Sequence, residues 1–306
     1  MGFHQENIKV VSGKADQWFE CVLFTRMGAV MDLFDLAKRK KVLLMAHRGV
    51  AFGNIPCNSL QAFQIALNQG ADIVELDVEC SSDGVLFVQH PGMEKVHLGL
   101  QDSIKNYPSS MVSNLRRFNC DMAPTEWTIV TLEDALLLLR GKCIVNIDKF
   151  WKNPKQIAEL VRRLGMEDQV LIKTANRPGY LEDVERYAPD LPYMMLVREE
   201  DHMHLELMRR RINYIGVEAL FSTDDAPVAS CEYLDRMHRD GKIVCCNAIV
   251  YDYREVLSSG HTDDVSMVED PERGWGWIAD RGFDLIQTDC LLPCRQFLEA
   301  TGRRAK

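Results

Sequence analysis

No stretch of this 306-residue chain comes near the roughly 20 consecutive apolar residues that a membrane-crossing helix requires. The opening MGFHQENIKV also lacks the basic start and apolar run of an export signal. A cytoplasmic protein without a transmembrane segment is therefore expected. Basic excess is missing: 36 Lys and Arg stand against 45 Asp and Glu, a formal net charge of -9. Nucleic acid is held mainly by clustered Lys and Arg, so no nucleic-acid partner is expected, although a small pocket could still hold phosphate locally. Paired CxxC motifs are missing too. The ten cysteines are scattered, which excludes a disulfide-stapled secreted domain and suits reduced thiols. No Pro/Gly/Ser-rich linker, low-complexity tract or short repeat divides the chain, so one large domain is the simplest organisation.

What is present is alternation. Short β-branched or apolar runs follow one another at Val42–Ala46, Ile73–Val78, Cys143–Ile147, Val170–Lys173, Tyr193–Val197, Tyr214–Val217, Ile243–Cys246 and Leu285–Gln287. Helical-period stretches lie between them, such as Leu60–Gln69 ending at Gly70, Leu132–Leu139 and Ile157–Leu164. Eight βα units predict an α/β fold, a (β/α)8 TIM barrel over residues 41–306. Residues 1–40 read as an N-terminal helical extension, with the apolar segment Val30–Leu36 covering the barrel's bottom or side. The stretch 91–130 breaks the rhythm and reads as an insertion after the second barrel strand, a natural place for binding loops.

Chemistry concentrates in ADIVELDVEC. Side chains alternate along a strand, so Glu75 and Asp77 share one face while Val74, Leu76 and Val78 take the other. In a barrel the apolar face meets the helices and the two acids point inside, near the C-terminal rim where barrel enzymes keep their chemistry. A half-exposed strand with both acids in water is the plainer alternative. The run CIVNI delivers a third acid, Asp148, to the same rim. Three carboxylates suit one divalent cation, Mg²⁺ or Ca²⁺, since both prefer oxygen ligands. The first strand leads into His47-Arg48-Gly49, and LFVQHPG delivers His90. Lone strand-end histidines are usually structural, but two flanking a phosphoester could act as base and acid, with Arg48 on the phosphate oxygens.

Taken together, AHRG, PCNSLQAF and GADIVELDVECSSDGVLFVQHPG resemble the opening region of glycerophosphodiester phosphodiesterases, and Asn146-Ile147-Asp148 and Gln287-Thr288-Asp289 are similar to later motifs of that family. The resemblance implies a small-molecule phosphodiester substrate, a divalent cation on Glu75, Asp77 and Asp148, and His47 and His90 as the acid-base pair. It also exposes departures. Pro91 stands where an Asp commonly follows the second His, Cys57 replaces a Glu, Asp148 is shorter than the usual Glu, and Cys245-Cys246-Asn247 lies where Trp is frequent. The family's Lys would fall at Phe150. Lys149, next to Asp148, is expected to point to the opposite strand face.

Strand-end placement makes Lys173, Glu218 and Asn247 further candidates, Lys173 as a point charge on a phosphoryl oxygen. His261, Asp263 and Asp264 could mimic a metal cluster but read as solvated loop, and Trp275 and Trp277 as packing residues. The expected reaction is hydrolysis of a small glycerophosphodiester to glycerol phosphate and an alcohol. A lyase releasing a cyclic phosphate and a noncatalytic binding barrel remain as competing readings. The oligomeric state is not readable.

Overall fold

The structure is a computed structural model that describes residues 33–306. The expected helical extension lies outside the described residues except for its last turns, the helix Leu33–Lys40. Eleven strands follow: β1 Leu43–Ala46, β2 Ile73–Cys80, β3 Leu86–Val88, β4 Arg116–Phe118, β5 Pro124–Thr128, β6 Ile144–Asp148, β7 Val170–Ala175, β8 Tyr193–Arg198, β9 Tyr214–Leu220, β10 Ile243–Asn247 and β11 Leu285–Thr288. Eight of them form a closed parallel barrel in the order β1-β11-β10-β9-β8-β7-β6-β2, with β1 pairing back onto β2. All eight expected strands are these, shifted by a few residues at their ends.

Strand alternation sorts the side chains into two cores. Residues such as Leu44, Val74, Leu76, Val145, Ile172, Val217 and Ile286 face outward into the large layer shared with the helices. Leu43, Met45, Ile73, Ile144, Leu171, Met194, Ile243 and Leu285 face inward and fill the bottom of the barrel as a separate cluster. Leu33 joins that cluster, and Phe34, Leu36 and Ala37 pack against it, so the helix Leu33–Lys40 lies against the bottom of the barrel. One or two inward positions further along β2, β6, β7, β10 and β11 the residues turn polar: Glu75 and Asp77, Asn146 and Asp148, Lys173, Asn247, and Gln287. The barrel is apolar below and ionised above.

The stretch 91–130 is more structured than a loop. Just before it, β3 returns antiparallel along the end of β2, with Val78 opposite Val88. β4 and β5 form a hairpin, and Phe87, Leu98, Ile104, Val112 and Ile129 make a satellite core. These short strands carry too few residues for a two-residue period to show. Among the described residues no helix is long and apolar enough to cross a membrane.

Candidate active site

The rim is assembled by backbone conformations that most residues avoid. Arg48, Asn58 and Lys149 all have positive φ, at 57°, 54° and 61°. Such values cluster where the surroundings hold a chain in an unfavourable well for the sake of a site. Gly49 follows at φ 79°, and a Cβ there would sit 2.8 Å from the backbone of Ala62. His-Arg-Gly thus packs directly onto the helix Leu60–Asn68, and only glycine fits the third place.

Glu75, Asp77 and Asp148 offer oxygens that all lie within 4.8 Å of one another. Both β2 acids are about 1% exposed. Around them stand cations. Arg48 Nε lies 3.0 Å from Asp77 Oδ2, and the Arg48 backbone N–H donates to Glu75 Oε2 at 2.9 Å. Lys149 Nζ meets Asp148 and lies 3.8 Å from Asp77 Oδ1. This corrects the expectation that Lys149 turns away: its left-handed backbone just past β6 breaks the strand alternation and brings the ammonium back to the rim. Asn58 also donates to Asp77 Oδ2 at 2.9 Å. Lys173 and Glu218 form a buried pair at 2.7 Å, and Glu218 accepts a second bond from Asn247 at 2.9 Å. Gln287 in turn donates to Asn247 at 2.6 Å.

The electrostatics follow from this crowding. Burial, then repulsion from Asp77, pushes Glu75 up to about 7. Burial would raise Asp77 as well, but Arg48, His90 and Lys149 outweigh it and hold that carboxyl below its ordinary value. Asp148 is likewise buried yet held low by Lys173 and Lys149. Asp77 Oδ1 is buried and has no hydrogen-bond partner among the described residues. An orphaned carboxylate oxygen beside two further acids, one of them driven towards its neutral form, fits a hard divalent cation.

The two histidines differ. His47 Nδ1 lies 2.9 Å from Asp289 Oδ1. Burial lowers the His47 pKa, but that hydrogen bond and charge more than compensate and leave it raised. His90 sits with Nε2 3.9 Å from Asp77 Oδ1, while its Nδ1 is buried and has no partner among the described residues. Burial carries His90 below its ordinary value. Pro91 therefore has the consequence its residue type implies: among the described residues no side chain hydrogen-bonds the ring's Nδ1. The ring is placed instead by β3, where Gln89 donates its backbone N–H to Asp77 O at 3.0 Å and Arg117, fully buried, donates to Val88 O and to Gln89 Oε1.

Sequence reasoning missed several of these groups. Asn58 and Asp289 stand inside motifs that were legible, without a role attached. Arg117 gives no signal in its polar surroundings. Asp263 corrects an expectation: far from standing in a solvated loop, it begins the helix Asp263–Val268 and is 4% exposed. Its carboxyl accepts from Trp275 Nε1, Thr288 Oγ1 and the Asp289 backbone N–H, each at 2.7 Å. His261 stacks on Trp277 with ring centroids 3.6 Å apart and binds Asp224 instead. Cys245 and Cys246 are buried, as expected of strand thiols.

His47, Arg48, Glu75, His90, Asp148, Lys149, Lys173, Glu218 and Asn247 all line one cavity of about 600 Å³ at the C-terminal end of the barrel. Acids, imidazoles and fixed cations in one such bowl define a barrel enzyme for an anionic substrate. Residues 47–247 match the sequence profile of the glycerophosphoryl diester phosphodiesterase family. A glycerophosphodiester phosphodiesterase of Bacillus altitudinis is 29% identical over 171 residues, 52% of this chain and 68% of that protein. One from Caldanaerobacter subterraneus is 27% identical over 179 residues, 55% and 73% of the two chains. Among solved structures, a glycerophosphoryl diester phosphodiesterase of Parabacteroides distasonis superposes with a TM-score of 0.72 at 20% identity, covering 88% of this chain and 92% of the other. An Oleispira antarctica phosphodiesterase, solved with its product sn-glycerol-3-phosphate, gives 0.60 at 14% identity, covering 85% and 96%. At these identities the structural likeness is one of fold. The chain belongs to the glycerophosphoryl diester phosphodiesterase family, and is by class a phosphoric diester hydrolase.

Proposed function

We propose that this protein cleaves a glycerophosphodiester to glycerol phosphate and an alcohol, with His47 and His90 as its acid-base pair. The observation that carries the reading is the convergence of both imidazoles, three carboxylates and Arg48 on one cavity. A divalent cation, Mg²⁺ or Ca²⁺, would be held by Glu75, Asp77 and Asp148; when bound it supplies positive charge to the non-bridging phosphate oxygens. Arg48 and Lys149 add fixed cations on the same side, and Lys173 acts mainly through Glu218 and Asp148 as a buried counter-charge. His47, tied by Asp289 and raised in pKa, is suited to arrive protonated and give its proton to the leaving alkoxide. His90, lowered in pKa and neutral, is suited to take the proton of the attacking oxygen. That oxygen is water, or the substrate's own neighbouring hydroxyl if a cyclic phosphate forms first.

The test is cleavage of glycerophosphodiesters with Mg²⁺ or Ca²⁺, before and after chelation, followed by phosphorus NMR, with His47→Ala and His90→Ala alongside. Each variant is expected to lose on the order of 10²–10⁴ in kcat. Activity that survives chelation and both substitutions rejects the mechanism, and a persistent cyclic product rejects hydrolysis as the end point.

A further inference from the structure

Four fixed cations line the cavity, and three are held by acids at the carboxylate rim: Arg48 by Asp77, Lys149 by Asp148 and Lys173 by Glu218. Arg198 is the fourth. Among the described residues its guanidinium meets the Glu255 carboxylate and the Val256 carbonyl, both at 3.5 Å, the outer limit of a hydrogen bond. Both side chains of that ion pair are 48% exposed. A surface pair this long holds neither partner firmly.

Strand register fixes where Arg198 stands. On β8, Met194 belongs to the apolar bottom, and Leu196 and Arg198 follow on the same inward face, both lining the cavity. Leu196 pairs with Glu218 of β9 and Arg198 with Leu220, so Arg198 lies one inward step, about 7 Å, beyond the layer of the Lys173–Glu218 pair. Leu196, Leu220 and Leu257 line the cavity around that step. The bowl thus has two cationic ends parted by an apolar step, the rim around Arg48 and Lys149 below and Arg198 nearer the mouth. Tyr251 lines the mouth as well and brings a phenol that can donate. Asp252 lines it too, but both its oxygens are already met by Arg254 at 3.1 Å.

We propose that Arg198 is a specificity-determining residue that binds a second acidic group, a carboxylate or phosphate, carried by the leaving alcohol. The inference rests on the phosphodiesterase reading for the phosphate held at the rim, but binding alone tests it. A guanidinium fork matches either anion with two parallel hydrogen bonds, and displacing Glu255 from so long a contact costs little.

Phosphoserine and phosphoethanolamine differ by one carboxylate, and propane-1,3-diol bisphosphate and its monophosphate by one phosphate. Affinities of all four for the full chain with Mg²⁺ are measured by calorimetry. The acid-bearing member of at least one pair is expected to bind about tenfold more tightly, the low end for a charge-assisted contact because Arg198 is half-exposed, and the pair that shows the gain names the anion. Arg198→Gln brings that ratio close to one, and Glu255→Gln, which removes the competing carboxylate, raises it by up to about fivefold. Equal affinities within both pairs overturn the proposal. So does a preference that Arg198→Gln leaves intact, which would place the anion on another cation. Discrimination in binding without cleavage of any diester would sink the catalytic reading and spare this one. Cleavage of glycerophosphoserine and glycerophosphoethanolamine with equal kcat/KM, and equal affinities within both pairs, would do the reverse.

Discussion

Replacing Asp263 by Asn changes one atom and tests what holds the Asp289–His47 pair in place. The carboxyl is buried, and its oxygens take three donors: the indole of Trp275, the hydroxyl of Thr288 and the backbone N–H of Asp289. An amide has one acceptor oxygen, so its NH2 must face at least one of those donors. Leaving a buried donor unmade costs about 1–3 kcal/mol. Proton linkage then sets how this cost varies with pH. Burial lifts Asp263 to about 7 in the folded chain from the 3.8 of an unburied carboxyl. The unfolded chain gives up this proton near pH 4 and the folded one only near 7, so the stability Asp263 contributes is complete at low pH and is lost as pH rises between those values. From pH 4.5 to 7.5 the loss is on the order of 3 kcal/mol, at 1.36 kcal/mol per pH unit. Asn does not titrate. The penalty of Asp263→Asn in urea melts is therefore expected to be about 1–3 kcal/mol at pH 4.5 and to vanish or change sign by pH 7.5. A penalty that grows with pH would refute this reasoning, and would mean that the three donors, not burial, decide the charge.

The orientation of His47 is tested by Asp289→Asn, which should lower kcat about 10–100-fold while leaving KM nearly unchanged and should move the basic limb of the pH profile to lower pH, because the proton donor loses the partner that raises its pKa; an unchanged profile would count against the pair. Lys173→Met leaves Glu218 buried with only the Asn247 amide and should cost about 3–5 kcal/mol in chemical denaturation, most of which Lys173→Met with Glu218→Gln recovers. Equal costs for the single and double variants would mean the pair is not coupled. Arg304, 3% exposed, pairs with Asp72 at 2.7 Å, and Arg304→Ala should destabilise the chain by about 3–5 kcal/mol, again in urea melts.

The barrel was legible because burial on both strand faces leaves continuous apolar runs, and Val42–Ala46 or Ile243–Cys246 stand out from the helices between them. Glu75, Asp77 and Asp148 were legible for the opposite reason, as charges where such runs should be uninterrupted. His47, His90 and Arg48 needed the ordered motifs to give them roles. What could not be read were groups whose place depends on distant chain. Arg117 acts on the segment before His90 from a hairpin whose strands are three and five residues long. Asp263 anchors β11 across 26 positions, and its turn-like neighbours Thr262 and Asp264 signal only a loop. Lys149 was misread because alternation fails at the first residue beyond a strand, where φ turns positive.

The closure of the barrel also constrains how the chain reaches it. β1 pairs with β11, Leu43 opposite Leu285, and Arg304 clasps Asp72 and the Val42 carbonyl beneath that seam. These are among the most sequence-distant contacts in the molecule, and the loop-closure entropy they require must be met before they give anything back. During synthesis β1 waits, one edge unpaired, until β11 has emerged. Folding should be slow at its final step, and a chain halted before β11 would present the open edges of β1 and β10, both strongly apolar, to other chains.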